Sequence, residues 1–329
     1  PGGAKFSPDG KYLLTGGTSK AILFDLSSRT KLCEIGAHKP FLSSVNPNCI
    51  DFSHDSKYFV TAGDDSTARL WDLQGNCLAV MKHGGGVTSA QFSPDGQKIV
   101  TASSDKTARL WDMKGNELVR FKGHTKGLRM AKFSPDRNKI LTIAGDTTAR
   151  LWDLSGKELQ VLKGHTESIY DASFSNDGTR IATAGYDQIA KIWNLNGKLL
   201  TELKGHSALI GTVLFITGDT LIITASDDLS IKLWDNNGKE LKTMKGHTAT
   251  IWSTCFSPDG KQILTASDDG TARLWDLNGT ELMLLKGHSS QILNANFSPD
   301  GKYVVTASAD ATARIWNIQP IENPVLKGH

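Results

Sequence analysis

The sequence predicts an all-β protein built from eight repeated units, each a four-stranded antiparallel sheet. Three observations carry this reading. The phrase FSPDG and its variants place phenylalanines at Phe6, Phe52, Phe92, Phe133, Phe174, Phe215, Phe256 and Phe297, mostly 41 residues apart. A second aromatic slot follows at Phe24, Trp71, Trp111, Trp152, Trp193, Trp234, Trp275 and Trp316, stepping by 40 or 41 residues after the first pair. No segment has the length or the 3.6-residue apolar period of a helix.

The strands of one unit follow from its punctuation. In QKIVTASSDKTARLWDMKGNELVRFKGH the apolar-rich runs KIVTAS, TARLWD and ELVRFK are separated by the turn-like SSDK and MKGN. The run before FSPDG is the remaining strand. Within SPDG the proline suits an early turn position, the aspartate can bond its own backbone, and the glycine supplies positive φ. One departure from the period is visible: HKPFLSSVNPNCIDF, between Phe6 and Phe52, is about five residues longer than its counterparts.

Composition narrows the function. Of 329 residues, 39% are hydrophobic and 22% charged, enough to bury a large core and unlike a disordered chain. No apolar run reaches the roughly 18 residues of a spanning helix, so no membrane partner is expected. The 37 basic and 34 acidic residues are interspersed and leave a formal charge of +3, which is no footprint for nucleic acid. Cys33, Cys49, Cys77 and Cys255 share no slot and no paired spacing, as free thiols of a cytoplasmic protein would. The chain opens at Pro1, already inside the repeat pattern, with no signal-like segment.

Four short strands per period of about 41 residues, with a Gly-His pair and a Trp-Asp pair in most of them, resemble the WD-repeat β-propeller family. Lys-Gly-His stands at His124, His165, His206, His247, His288 and His329, and Trp-Asp at Trp71, Trp111, Trp152, Trp234 and Trp275. Asparagine follows Trp193 and Trp316. The resemblance covers the whole chain, residues 1–329, and implies a single closed propeller with repeats at approximately 1–38, 39–83, 84–124, 125–165, 166–206, 207–247, 248–288 and 289–329. Closure has a physical reason: each sheet has two apolar faces and cannot bury both alone. A seven-bladed ring is the alternative, because repeat one carries Phe24 for tryptophan and GGTSK without the usual aspartate.

Each good repeat holds a histidine, a threonine, an aspartate and a tryptophan at fixed offsets: His83, Thr101, Asp105 and Trp111; His124, Thr142, Asp146 and Trp152; His165, Thr183, Asp187 and Trp193; His206, Thr224, Asp228 and Trp234; His247, Thr265, Asp269 and Trp275; His288, Thr306, Asp310 and Trp316. Repeat two has Thr61, Asp65 and Trp71, with His38 near the histidine slot. Hydroxyl, imidazole and carboxylate invite a catalytic-triad reading, yet seven identical active sites in one ring make no sense. The family resemblance implies buried hydrogen-bonded tetrads instead. With those histidines accounted for, only His54 is left, in a turn, and no cluster remains for a metal. No phosphate loop, HExxH, CxxC or EF-hand loop occurs, so neither a cofactor nor catalysis is expected. Asn278-Gly279-Thr280 matches a glycosylation acceptor only by three residues in a turn.

Function should then lie where the repeats differ. Five residues before each phenylalanine the slot is Pro47, Val87, Leu128, Ile169, Ile210, Ile251 and Ile292, apolar throughout. Four before, it is Asn48, Thr88, Arg129, Tyr170, Gly211, Trp252 and Leu293. No close-packed interior accepts that range of volume and charge, so this slot should face solvent. A second variable slot precedes the tetrad aspartate: Asp64, Ser104, Gly145, Tyr186, Asp227, Asp268 and Ala309. The resemblance places both around the narrow mouth of the central channel. Tyr170, Tyr186, Leu209, Trp252 and Leu293 gather in repeats five to eight and are expected to dock a protein or peptide, with Arg129, Asp227 and Asp268 setting its orientation. A nucleic-acid or phospholigand site and a propeller hydrolase are the rival readings. Repeats this alike look similar to bacterial WD arrays attached to signalling ATPases, kinases or caspase-like proteases, where the propeller is a sensor or scaffold.

Overall fold

In a computed structural model, residues 3–16, 20–36, 38, 49–216 and 218–319 are described. They form eight separate antiparallel sheets in chain order, seven of four strands and an eighth of three. Repeat one, expected to be the weakest, builds a complete sheet from Gly3–Phe6, Tyr12–Gly16, Ala21–Asp25 and Thr30–Ile35. The ring therefore has eight blades, and the seven-bladed alternative is excluded. Its fourth strand pairs normally because backbone bonds, not Trp-for-Phe chemistry, define the sheet. Blade 8 is described through Ala313–Asn317. Residues 320–329, including His329 of the last Lys-Gly-His, lie outside the described residues, as do Pro47 and Asn48.

Alternation along each strand dictates how blades stack. Second and third strands are buried on both faces, as in Lys98–Ser103 and Thr107–Asp112, while the fourth strand exposes most of its residues. Each core cluster accordingly spans two neighbouring blades. Val100, Ala108, Leu110 and Phe121 of blade 3 pack on Leu128, Phe133, Ile140 and Trp152 of blade 4, and the Phe121 and Trp152 rings lie 5.7 Å apart. Removing this apolar area from water, at about 25 cal/mol per Å2, is the main force holding blades together.

The FSPDG phrase works as its residues suggest. In blade 3 the Ser93 hydroxyl donates to Asp95 at 2.6 Å and accepts from the Lys98 N–H at 2.9 Å, closing the turn from both sides. Gly96 takes φ +69°, a backbone state that costs other residues energy.

Closure joins the two ends of the described chain. The Ala4 N–H donates to Asn294 Oδ1 at 3.0 Å, and Asn296 Nδ2 donates to the Ala4 carbonyl at 2.7 Å. Ala4, Phe6 and Leu13 of blade 1 share a core with Val305 and Ala307 of blade 8. The first strands of consecutive blades lie side by side around the axis and line a central channel.

Candidate functional site

The repeated polar residues form closed networks. In blade 7 the Trp275 indole N–H donates to Thr265 Oγ1 at 3.0 Å, Thr265 Oγ1 meets His247 Nε2 at 2.8 Å, and His247 Nδ1 meets Asp269 Oδ2 at 2.8 Å. A neutral imidazole completes this chain with its proton on Nδ1, donated to the carboxylate, while Nε2 accepts from the hydroxyl. The same bonds recur around His83, His124, His165, His206 and His288. His38 supplies the histidine of blade 2, with Nε2 2.9 Å from Thr61 and Nδ1 2.7 Å from Asp65.

Burial pushes the pKa values of His38, His83, His124, His206 and His247 down, against the pull of their aspartates. For His83 the result is about 4. Burial raises the partner carboxyls, but hydrogen bonds from hydroxyl, imidazole and backbone outweigh it and hold Asp65, Asp105, Asp146, Asp187, Asp228 and Asp269 low. The would-be nucleophiles Thr61, Thr101, Thr142, Thr183, Thr224, Thr265 and Thr306 are 0% exposed. A hydroxyl sealed in this way has no path to a substrate.

The network also has a fifth member that the sequence reading overlooked. A hydroxyl two residues after the aspartate (Thr67, Thr107, Thr148, Ser230, Thr271 or Thr312) donates to it at 2.6–2.7 Å. The recurring Thr of TARLWD was the available signal. Blade 5 has Ile189 at this position.

The variable slot has a structural identity that spacing alone could not reveal: it is a β-bulge. In blade 7 Ile251 pairs with Ser267 and Ser253 with Ala266, so Trp252 has no partner across the strand. Thr88, Arg129, Tyr170, Gly211 and Leu293 are the corresponding extra residues in their blades. A bulge re-aims its side chain and frees it from the pairing register, which is why one slot tolerates residues from glycine to tryptophan.

At the end of the channel where the first strands begin, these side chains meet. The Arg129 guanidinium carbon sits 3.3 Å from the centroid of the Tyr170 ring, and its Nε donates to the Tyr170 carbonyl at 2.8 Å. Tyr170 meets Tyr186 edge to face at 6.1 Å. Tyr186 is 52% exposed. The Trp252 indole, half-buried, donates to Asp268 Oδ1. Asp227 stands close enough to Asp268 that burial first, and then that neighbouring charge, raise its pKa. Burial likewise raises the Tyr170 phenol, against the opposing charge of Arg129.

Two expectations need correction. Leu293 is buried, at 7% exposure, and offers no anchor to a partner; an apolar side chain released by a bulge lowers its free energy by leaving water. Arg129 does not point free into solvent to orient a partner, because its guanidinium is stacked on the Tyr170 ring and bonded to the Tyr170 carbonyl. Leu209 is half-buried and contributes its carbonyl, which accepts the Asp227 N–H at 2.9 Å.

Below the mouth, a cavity of about 210 Å3 is lined by Arg129, Tyr170, Gly211 and Trp252, with Lys132, Asp171, Asn294 and Asn296 deeper. Lys132 lies 3.6 Å from Asp171 and donates to the Ala172 carbonyl, and Lys5 pairs with Asp51. The opposite channel opening, about 420 Å3, is walled by the phenylalanines and prolines of the turns and by His54. Among the described residues no group of three or more His, Cys, Asp and Glu is arranged to hold a metal ion.

A family model described as the IFT122 first beta-propeller matches residues 74–317, and the WD domain, G-beta repeat model matches residues 30–72. The chain belongs to the WD-repeat β-propeller family. WD repeat-containing protein 18 of Danio rerio is 37% identical over 67 residues, a match that spans 20% of this propeller and 14% of that protein. The crystal structure of the computationally designed Ika8 protein superposes with a TM-score of 0.84 at 24% identity, covering 96% of this propeller and 95% of that chain. At that identity the likeness is one of fold.

Proposed function

We propose that this propeller is a non-catalytic scaffold or sensor that docks a protein or peptide on its channel mouth, through Tyr186, Tyr170 and Trp252 with Asp227 and Asp268. The observation that carries the reading is the position of Tyr170 and Trp252 on bulges around one cavity, with Tyr186 packed on Tyr170 and half in solvent. Tyrosine and tryptophan are over-represented among residues that dominate interface energy. The tetrads argue for the non-catalytic part, since every threonine hydroxyl in them is sealed from solvent. All four cysteines are free, which supports work in a reducing compartment such as the cytoplasm.

The nucleic-acid alternative is weaker than it was from sequence, because Arg129 is engaged by Tyr170 and the neighbouring mouth positions are acidic. Affinity that falls steeply with salt would revive it.

Affinity capture with the intact propeller, Trp252→Ala and Tyr186→Ala, all shown to melt alike, tests the proposal. Loss of the same bound species from both variants is expected, by about tenfold or more for a residue of this type. Equal recovery from all three proteins removes the mouth as the docking face.

A further inference from the structure

The mouth also indicates what kind of partner it takes, an inference that rests on the docking reading above. Blade 6 contributes Gly211 to the bulge slot, between Tyr170 of blade 5 and Trp252 of blade 7. A Cβ there would meet nothing closer than the Ile251 carbonyl at 3.8 Å and Tyr170 Cε1 at 4.0 Å. The absence of a side chain therefore leaves a notch beside Tyr170, in the cavity of about 210 Å3 that Trp252 also lines.

The two sides of the rim differ in charge. Blades 6 and 7 place Asp227 and Asp268 at the mouth position beside the tetrad, whereas the blade 4 side carries Arg129 and Lys126, the latter against Gly145. Asp268 accepts the Trp252 indole, a neutral donor that leaves its charge uncompensated. Asp227 holds the same place in the adjacent blade, the two backbone N–H groups donating to the equivalent Leu209 and Thr250 carbonyls at 2.9 Å, and among the described residues its carboxylate has no hydrogen bond or cation. The neighbouring cations are engaged: Arg129, also at the mouth, by the ring and carbonyl of Tyr170, and below it Lys132 by Asp171 and the Ala172 carbonyl and Lys5 by Asp51. Below the mouth the carboxylates of Asp171 and Asp51 already have their lysines, so a guest with a positive head would be drawn to the uncompensated Asp227 and Asp268, while its methylene stem would pack beside Tyr170 and Trp252.

We propose that the Gly211 notch receives one lysine or arginine side chain of a basic peptide segment, its stem beside Tyr170 and Trp252 and its cationic head at Asp227 and Asp268. Two adjacent carboxylates that lack a cation give up their mutual repulsion when one arrives, so this contact is stronger than a single surface pair.

The test is selection of phage-displayed random dodecapeptides on the full chain, followed by titration of the selected peptides against Gly211→Leu, Asp227→Asn, Trp252→Ala and Tyr186→Ala. Gly211→Leu is expected to fold normally, because Leu293 already occupies the same slot in blade 8 and the backbone of Gly211 is not left-handed; its melting profile checks this. Supporting the proposal, the selected peptides share Lys or Arg at one position. Norleucine there, Gly211→Leu and Asp227→Asn each weaken binding by about tenfold or more. Peptides lost on Trp252→Ala and Tyr186→Ala that carry no common basic residue, or that ignore Gly211→Leu, overturn the notch and leave the docking face standing. Spermine that binds as tightly as the peptides overturns the peptide assignment in favour of a free polyamine. A selection that yields nothing sensitive to any mouth variant removes both proposals.

Discussion

At the scale of single residues, the most consequential groups are the tetrad histidines, because they combine burial with a side chain whose ordinary titration lies near neutrality. The pKa values of His38, His83, His124, His206 and His247 lie below the ordinary 6.5, so the unfolded chain takes up protons first as pH falls. Their contribution to stability is complete above pH 6.5 and declines below it. For His83 the decline continues to about pH 4, at about 1.4 kcal/mol per unit. The tetrad aspartates add to this only at lower pH, since their depressed carboxyls stay ionised until the pH falls past 3.8. Thermal melting followed from pH 8 to pH 4 should show a plateau above neutrality and a steady fall between pH 6.5 and pH 4. A midpoint that holds constant over that lower range would contradict neutral, sealed imidazoles.

At the scale of the strand and its turns, near-identical sequence conceals local differences in backbone. The last residue of the second strand is serine in blades 3, 6, 7 and 8. Ser103, Ser226, Ser267 and Ser308 each donate to a carbonyl 18 residues earlier, at 2.9–3.2 Å. Gly185 holds that place in blade 5, and there a Cβ would stand 2.2 Å from the Ser168 carbonyl oxygen and 2.9 Å from Ile169 Cα. Both are backbone atoms, so rotation of a side chain gives no relief. Restoring the consensus by Gly185→Ser should therefore destabilise the propeller by roughly 1–3 kcal/mol, the usual cost of overpacking, and disturb adjacent Tyr186. Denaturant unfolding measures it; a neutral or stabilising result would show that the blade 5 loop relaxes freely.

At the scale of the molecule, the ring depends on its seam. Blade 1 and blade 8 meet through Asn294 and Asn296, which between them satisfy both backbone groups of Ala4. Asn294 also accepts from Asn296 Nδ2 at 2.9 Å, so the two side chains brace each other. Replacing both by alanine leaves the Ala4 N–H and carbonyl unpaired in a buried seam, at about 1–3 kcal/mol for each group. The expected result is a lower melting temperature, together with earlier proteolysis in residues 3–36 than in the other blades. Unchanged melting and an unchanged cleavage pattern would mean that the apolar contacts among Ala4, Phe6, Leu13, Val305 and Ala307 suffice for closure.

By itself the sequence determined the repeat, its four strands, the turns and the tetrads, because each depends on short-range spacing that recurs in nearly every unit. It also singled out Arg129, Tyr170, Tyr186, Asp227, Trp252 and Asp268, since variation within an otherwise fixed pattern is itself a local signal. Only the tertiary structure decided what those side chains do. That Arg129 stacks on Tyr170, that Leu293 turns inward and that Gly211 leaves open space beside Tyr170 are relations between blades 41 residues apart or more. The degenerate first repeat was settled at the same level. Whether it docks depends on the free energy gained by closing the ring against blade 8, which no residue of repeat one carries alone.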